Sequence, residues 1–308
     1  MKKAIPYNKV QYSVQPGIMF SDPVLNAFIS EDGGIVLGNM IALAGSKGAG
    51  KTTLCKKLQK ELPADMDSVF YSLETKKGSV ARQTKRVETG ANALVCDDSA
   101  EDGYSTWSEF MKDLHESVPT LVIVDSMQHA AKLLTKENGK YKYDNYAQIV
   151  EDLYDWKEEH NTIVILIVQL NGQGKVEGPE STVFDVDCPL RLIANPKTGE
   201  RFLEAEKNRM GGTVGEAIFY EFTSDESIIK FYTEDEYNVI KKGVSLPQMV
   251  IDTALQFASA FKSHDNFKAF KKEFNKKSGL IHDNNDDDSV ICTEFVKLMS
   301  ELTQKHFV

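Results

Sequence analysis

The sequence predicts an α/β chain: a mainly parallel central sheet with helices on both faces, an antiparallel extension near residues 190–233, and a small helical segment at the C-terminal end. Three observations predict it. Apolar runs of strand length recur at "NMIALAG", "SVFYSL", "TLVIVD" and "TIVILIVQ". Helical spacing of apolar residues falls between them. Each run also ends in a glycine-rich turn, an acid or an amide, which sets polar chemistry along the sheet edge where α/β folds bind ligands.

In chain order, a short leader (1–20) precedes a core expected over residues 21–238. Its first strong signal is "NMIALAGSKGAGKTTLCKKLQKEL": a strand, a turn, then a helix with Leu54, Leu58 and Leu62 on one face, closed by Pro63. Within it, Gly45–Thr52 fits G-x-x-x-x-G-K-[ST]. The glycines let successive backbone N–H groups curl around a phosphate at a helix N-terminus, where the macrodipole favours the negative charge. Gly45, Ser46, Lys47, Gly48, Ala49, Gly50, Lys51, Thr52 and Thr53 are therefore the expected nucleotide-binding residues. Lys51 is placed to reach the β- and γ-phosphates, and Thr52 to ligate Mg²⁺.

Three further strand ends supply the rest of a hydrolytic site. "TLVIVDSMQ" ends in Asp125, a carboxylate able to hold the metal through water. "SVFYSLET" gives a strand over Val69–Leu73 followed by Glu74, which could polarise an attacking water; hydrolysis needs such a base, and transfer to a bound hydroxyl does not. "TIVILIVQL" puts Gln169 where an amide could sense the γ-phosphate and signal to the loop that follows.

Composition narrows the classes. A net charge of -10 argues against coating a polyanion with the whole surface, so such binding must use local basic segments. Cys55, Cys96, Cys188 and Cys292 form no C-x-x-C pair, and reduced buried thiols are expected. No apolar run reaches bilayer-spanning length and no secretion signal follows Met1, so a cytoplasmic protein is expected with no membrane partner.

The stretches "GSKGAGKTTL", "YSLE", "LVIVDSMQ", "GKVEGP", "VFDVDCPLRLI" and "EKNRMGG" together resemble the RecA-like P-loop ATPases, and within them the bacterial RadA (Sms) type, over roughly residues 20–235. "SLE" and "QLN" resemble the DnaB replicative helicases equally. The resemblance implies ATP and Mg²⁺ as cofactors. It also implies a homo-oligomer, with a hexameric ring expected, whose active sites lie at subunit interfaces. In ring-forming relatives a K-x-R pair on a strand at the subunit boundary touches the neighbour's ATP; here it matches Lys207 and Arg209 of "EKNRMGG", with Met210 where RadA has phenylalanine. Strand alternation puts i and i+2 on one face, so the two could reach one γ-phosphate together. The family's four-cysteine zinc module and Lon-like domain are not expected, since the first cysteine is Cys55 and few residues follow Tyr232.

Two segments could meet a polynucleotide. "KLLTKENGKYKYDNY" interleaves Lys132, Lys136, Lys140 and Lys142 with Tyr141 and Tyr143, a pattern suited to single strands; a solvated loop before a helix faced by Tyr146, Ile149, Val150 and Leu153 is the plain alternative. "NGQGKVEGPESTV" is glycine-rich with Lys175 as its only base, and the family places a DNA-contacting loop there. Residues 244–308 read as a small helical segment. In it Phe267, Phe270 and Phe274 with neighbouring lysines make a basic amphipathic helix, for which ordinary packing with a solvated lysine face is the preferred account and a nucleic-acid or partner contact the alternative. Asp283–Glu294 has calcium-loop spacing, but Asp288 stands where glycine is required, so helix capping is the preferred account.

The expectation is an oligomeric ATP-dependent motor on DNA, single-stranded by preference: a helicase or a recombination and branch-migration ATPase serving repair or replication. The alternative is a regulatory or scaffolding ATPase that binds proteins in a nucleotide-switched oligomer. A small-molecule kinase would leave Glu74 and the K-x-R pair idle.

Overall fold

The computed structural model describes residues 17–73, 93–97, 103–171, 173–176, 178–179, 185–222 and 229–242, with scattered positions between 272 and 305. The chain forms two compact units, Met1–Thr233 and Glu234–Val308.

The first unit runs β1 (Gly17–Ile18), α1 (Pro23–Ile29), β2 (Ile35–Val36), β3 (Met40–Gly45), α2 (Lys51–Lys60), β4 (Ser68–Ser72), β5 (Ala93–Asp97), α3 (Trp107–Ser117), β6 (Leu121–Asp125) and α4 (Met127–Asn138). A 3-10 turn (Lys142–Asn145) leads into α5 (Tyr146–His160), followed by β7 (Ile163–Gln169), β8 (Cys188–Ala194), β9 (Arg201–Ala205), β10 (Ala217–Phe222) and β11 (Ile229–Tyr232). Among the described residues the main sheet has the order β11-β10-β9-β8-β3-β7-β6-β4-β5. Strands β5 to β8 of that order are parallel, and β9, β10 and β11 extend it antiparallel. This is the α/β architecture read from the sequence, with the antiparallel strands where they were expected.

The parallel strands are buried on both faces, which is why they read as near-continuous apolar runs. Alternation along β3 divides them: Ile41 and Leu43 face a core that includes Leu54 and Leu58 of α2 and Phe28 of α1. Met40, Ala42 and Ala44 face the other core, with Phe110 of α3, Met127 of α4, and Tyr146, Ile149 and Leu153 of α5. Helix α2 stops at Lys60 ahead of Pro63, and Leu62, just past its end, still packs half-buried on the first core. Local chemistry sets the other helix ends. Asp22 caps α1 by accepting from Val24 and Leu25 N–H, and Thr106 caps α3 by accepting from Glu109 N–H.

In the second unit, α6 spans Glu234–Lys242. Phe274 is buried while Lys272 and Lys276 are exposed, and Leu298 and Leu302 are buried beside exposed Lys297, Glu301 and Lys305. Both sets have the one-sided pattern of helices with a solvated charged face. The rest of that basic helix and the calcium-like loop at 283–294 lie outside the described residues.

Candidate active site

Glycine geometry builds the phosphate loop. Gly48 (φ 81) and Gly50 (φ 101) hold left-handed backbone, and Gly50 is the N-cap of α2. A Cβ on Gly50 would also lie 2.6 Å from the Phe222 ring, so the loop is pressed against the antiparallel extension. That extension supports it at two more points. The Tyr220 hydroxyl donates to the Ala49 carbonyl at 2.5 Å, and Arg201 donates to the Gly48 carbonyl at 3.1 Å while stacking over Phe222. Burial pushes the Tyr220 phenol up to about 12, so it stays a neutral donor.

At the head of α2, the Lys51 ammonium donates to the Gly45 and Ser46 carbonyls at 2.6 and 3.0 Å. Thr52 Oγ1 donates to Asp125 Oδ2 at 3.4 Å, bringing together the two residues expected at the metal. Ser46, Lys51, Thr52 and Thr53 are part-exposed, Lys47 and Gly48 are exposed, and Asp125 is buried. The donor set of one hydroxyl, one carboxylate and open space for water and phosphate oxygens fits Mg²⁺, a hard cation that keeps several waters. The loop of backbone N–H groups beside a lysine fits a nucleoside triphosphate. Beneath the loop, burial and then the Asp125 charge push the Cys55 thiol well above its usual range.

Gln169 ends β7 level with Gly45 of β3, beside the loop. Sequence reasoning gave no role to Gln128, quoted within "TLVIVDSMQ", yet its side chain grips Gln169 by two bonds. Its Nε2 donates to the Gln169 carbonyl at 3.1 Å and its Oε1 accepts from Gln169 N–H at 3.2 Å. At the next residue, His129 Nδ1 contacts Ser126 Oγ at 3.1 Å and its Nε2 contacts Lys132 Nζ at 3.0 Å. The start of α4 is thereby tied both to the sheet edge and to its own basic face. Glu74 directly follows Leu73, whose N–H donates to the Asp125 carbonyl, but Glu74 itself lies outside the described residues.

The first basic segment forms an open groove lined by Lys132, Thr135, Lys136, Lys140, Tyr141 and Lys142. Tyr141 is 63% exposed and packs edge-on against Tyr143, over whose ring the Lys142 ammonium sits at 4.6 Å. The second segment reaches the same neighbourhood, because Gly178 lies so close to Tyr143 and Tyr146 that a Cβ there would collide with both rings. Lys175 is exposed on a turn organised by Asn171, whose side chain accepts from Gln173 and Lys175 N–H.

Lys207 and Arg209 do not lie on a strand. β9 ends at Ala205, and the pair sits in the following turn. Two adjacent residues hold them: Lys207 Nζ donates to the Val186 carbonyl at 2.9 Å, and Arg209 N–H donates to the Asp187 carbonyl at 3.0 Å. Asp187 is a second residue to which the sequence assigned no role. Its Oδ2 accepts from Met40 N–H and from buried Lys157, while Oδ1 faces Arg209 at 3.5 Å. Burial, then the Arg209 charge, lowers the Lys207 pKa. Because Asp187 pairs with Met40, the pair stands at the opposite end of β3 from Gly45. Five strand steps separate those ends, ~16 Å, which an arginine side chain cannot span to this chain's own loop.

A family model described as an AAA domain matches residues 37–173. The DNA repair protein RadA of Rickettsia prowazekii is 25% identical over 240 residues, covering 77% of this chain and 52% of that protein. RadA of Halalkalibacterium halodurans is 28% identical over 221 residues, covering 70% and 46%, and RadA of Campylobacter jejuni is 26% identical over 190, covering 61% and 41%. The chain thus spans about half the length of the curated relatives it matches. A crystal structure of a KaiC-like protein from Pyrococcus horikoshii superposes with a TM-score of 0.57 at 16% identity, covering 71% of this chain and 99% of that one. No helix among the described residues is long and apolar enough to cross a membrane.

Proposed function

We propose that this RadA-like chain, with its RecA-like P-loop ATPase core, is an Mg²⁺-dependent ATPase that works as a homo-oligomer and moves on single-stranded DNA. The observation that carries the reading is the separation of two sets of groups suited to phosphate. Lys51, Thr52 and Asp125 meet at one edge of the sheet, while Lys207 and Arg209 stand at the other, anchored to Val186 and Asp187. Two copies arranged head to tail would bring one set onto the other, and repetition of that contact closes a ring when the rotation between copies divides a full turn; six copies is the expected number.

In this reading Lys51 and the loop N–H groups hold the triphosphate, and Thr52 and Asp125 hold Mg²⁺, which supplies charge neutralisation at the phosphates when bound. Glu74 takes the proton of the attacking water. Lys207 and Arg209 of the adjoining copy stabilise charge on the transferred phosphoryl group. Gln169 reports the γ-phosphate to α4 through Gln128, and the groove of Lys132, Lys136, Lys140 and Lys142, with Lys175 beyond, carries the strand. The relatives named DNA repair protein RadA support DNA as the partner, and helicase, recombination or repair work as the setting.

ATP hydrolysis measured with and without single-stranded DNA, at two salt concentrations, on the wild type and Arg209→Ala, tests the reading. Stimulation that fades with salt and disappears in the variant is expected. Steady turnover indifferent to DNA would favour a nucleotide-switched scaffold for protein partners instead.

A further inference from the structure

Away from the nucleotide site, α3 and α5 end side by side, and their last turns carry His115, Glu159 and His160. The ligand atoms of these three residues all lie within 4.8 Å of one another. We propose that they form a transition-metal site, with Zn²⁺ the best-matched ion, that clips the C-terminal ends of α3 and α5 together.

Four observations support it. The two imidazole rings stand 5.7 Å apart between centroids, close to the ~5 Å expected when two histidines bind one tetrahedral ion with Zn–N near 2.0–2.1 Å. Glu159 Oε2 already lies 4.0 Å from His160 Nε2, and His115 and Glu159 are exposed, so modest rotation closes the set. Both helices present their C-terminal ends here, and the partial negative charge of two helix termini favours a cation. Finally, His160 Nε2 is a buried nitrogen without a hydrogen-bond partner among the described residues. An ion would take it up directly. Three protein ligands leave a fourth position for water or for a side chain from another molecule.

Trp156 lies 5.2 Å from the His160 ring, so it reports on the site. The full chain, stripped with a chelator, is titrated with Zn²⁺ and, separately, with Co²⁺, which quenches nearby tryptophan. Wild type, His115→Ala and His160→Asn are compared, with bound metal measured after desalting. The proposal expects one equivalent of zinc on the wild type, cobalt quenching of Trp156, and at least a tenfold weaker affinity in either variant. Failure of the wild type to retain zinc overturns it, and so does equal retention by the variants, which would put the ion on other groups such as the cysteines. Should a histidine variant fail to fold, the exposed Glu159→Gln change gives the same comparison.

Discussion

Gln128 and Gln169 are joined by a reciprocal pair of hydrogen bonds, one amide side chain gripping both backbone groups of the other residue. The pair couples the end of β7, level with the phosphate loop, to the first turn of the helix that carries Lys132 and Lys136. A side chain that spans two elements in this way can transmit a small shift of one to the other.

Gln128→Glu keeps the acceptor toward Gln169 N–H but turns the donor to Gln169 O into a repulsion. Nucleotide affinity should change little, while stimulation of hydrolysis by DNA should drop ~5–30-fold, the equivalent of about 1–2 kcal/mol of coupling. Stimulation equal to wild type would remove Gln128 from the route.

Asp125→Asn tests the metal. The amide cannot supply the negative charge that an Mg²⁺ hydration shell requires, so half-saturation by Mg²⁺ should move ~10–100-fold higher. Binding of a fluorescent nucleotide without Mg²⁺ should be nearly unchanged. If the Mg²⁺ titration overlays wild type, Asp125 is not at the metal.

The phosphate loop, Asp125 and Gln169 were legible in the sequence because each is fixed by local chain: a glycine turn between a strand and a helix, or the last residue of an apolar run. What escaped is held by distant partners. Tyr220 supports Ala49 from 171 positions away, and Asp187 pairs with Met40 from 147 positions away. Nothing in "AIFYEF" or "VFDVDC" marks which side chain makes those contacts. The strand expected to carry Lys207 and Arg209 ends earlier, at Ala205, because Asp187 draws the following turn back onto the start of β8. The two cations are held by the adjacent residues Val186 and Asp187, not by strand alternation.

Complementation distinguishes action across an interface from action within one chain. Lys51→Ala and Arg209→Ala should each abolish nearly all turnover, given the ~10³–10⁵ contribution of such arginines elsewhere. Mixed in equal amounts and allowed to reassemble, they should recover roughly a quarter of the sites, since one chain then supplies the loop and its neighbour the arginine. A mixture no more active than its components would place Arg209 outside the neighbour's site.

Lys56 on α2 gives a pH signature. It is 2% exposed, and burial lowers its pKa to about 8. The unfolded chain therefore holds this proton more tightly than the folded one between pH ~8 and ~10.4, so folding stability rises as pH climbs through that window. Below pH 8 both states hold the proton and the full cost of burying the charge applies. Chemical denaturation of the wild type should show the rise, and Lys56→Met should be flatter across the same window. Parallel curves would mean that the ammonium is solvated in the folded state.

Lys140 and Lys142 flank Tyr141 on the groove, and each would neutralise one phosphate if a strand lies there. On single-stranded nucleic acid each such contact adds ~0.7 to the slope of log affinity against log salt. The double change to alanine should therefore weaken binding at every sequence and flatten that slope by ~1.4. Tyr141→Ala should behave differently: loss of stacking costs ~1–3 kcal/mol at any salt and leaves the slope alone. Equal slopes in wild type and the double lysine variant would move the strand off this face, and Lys175 would be the next basic position to test.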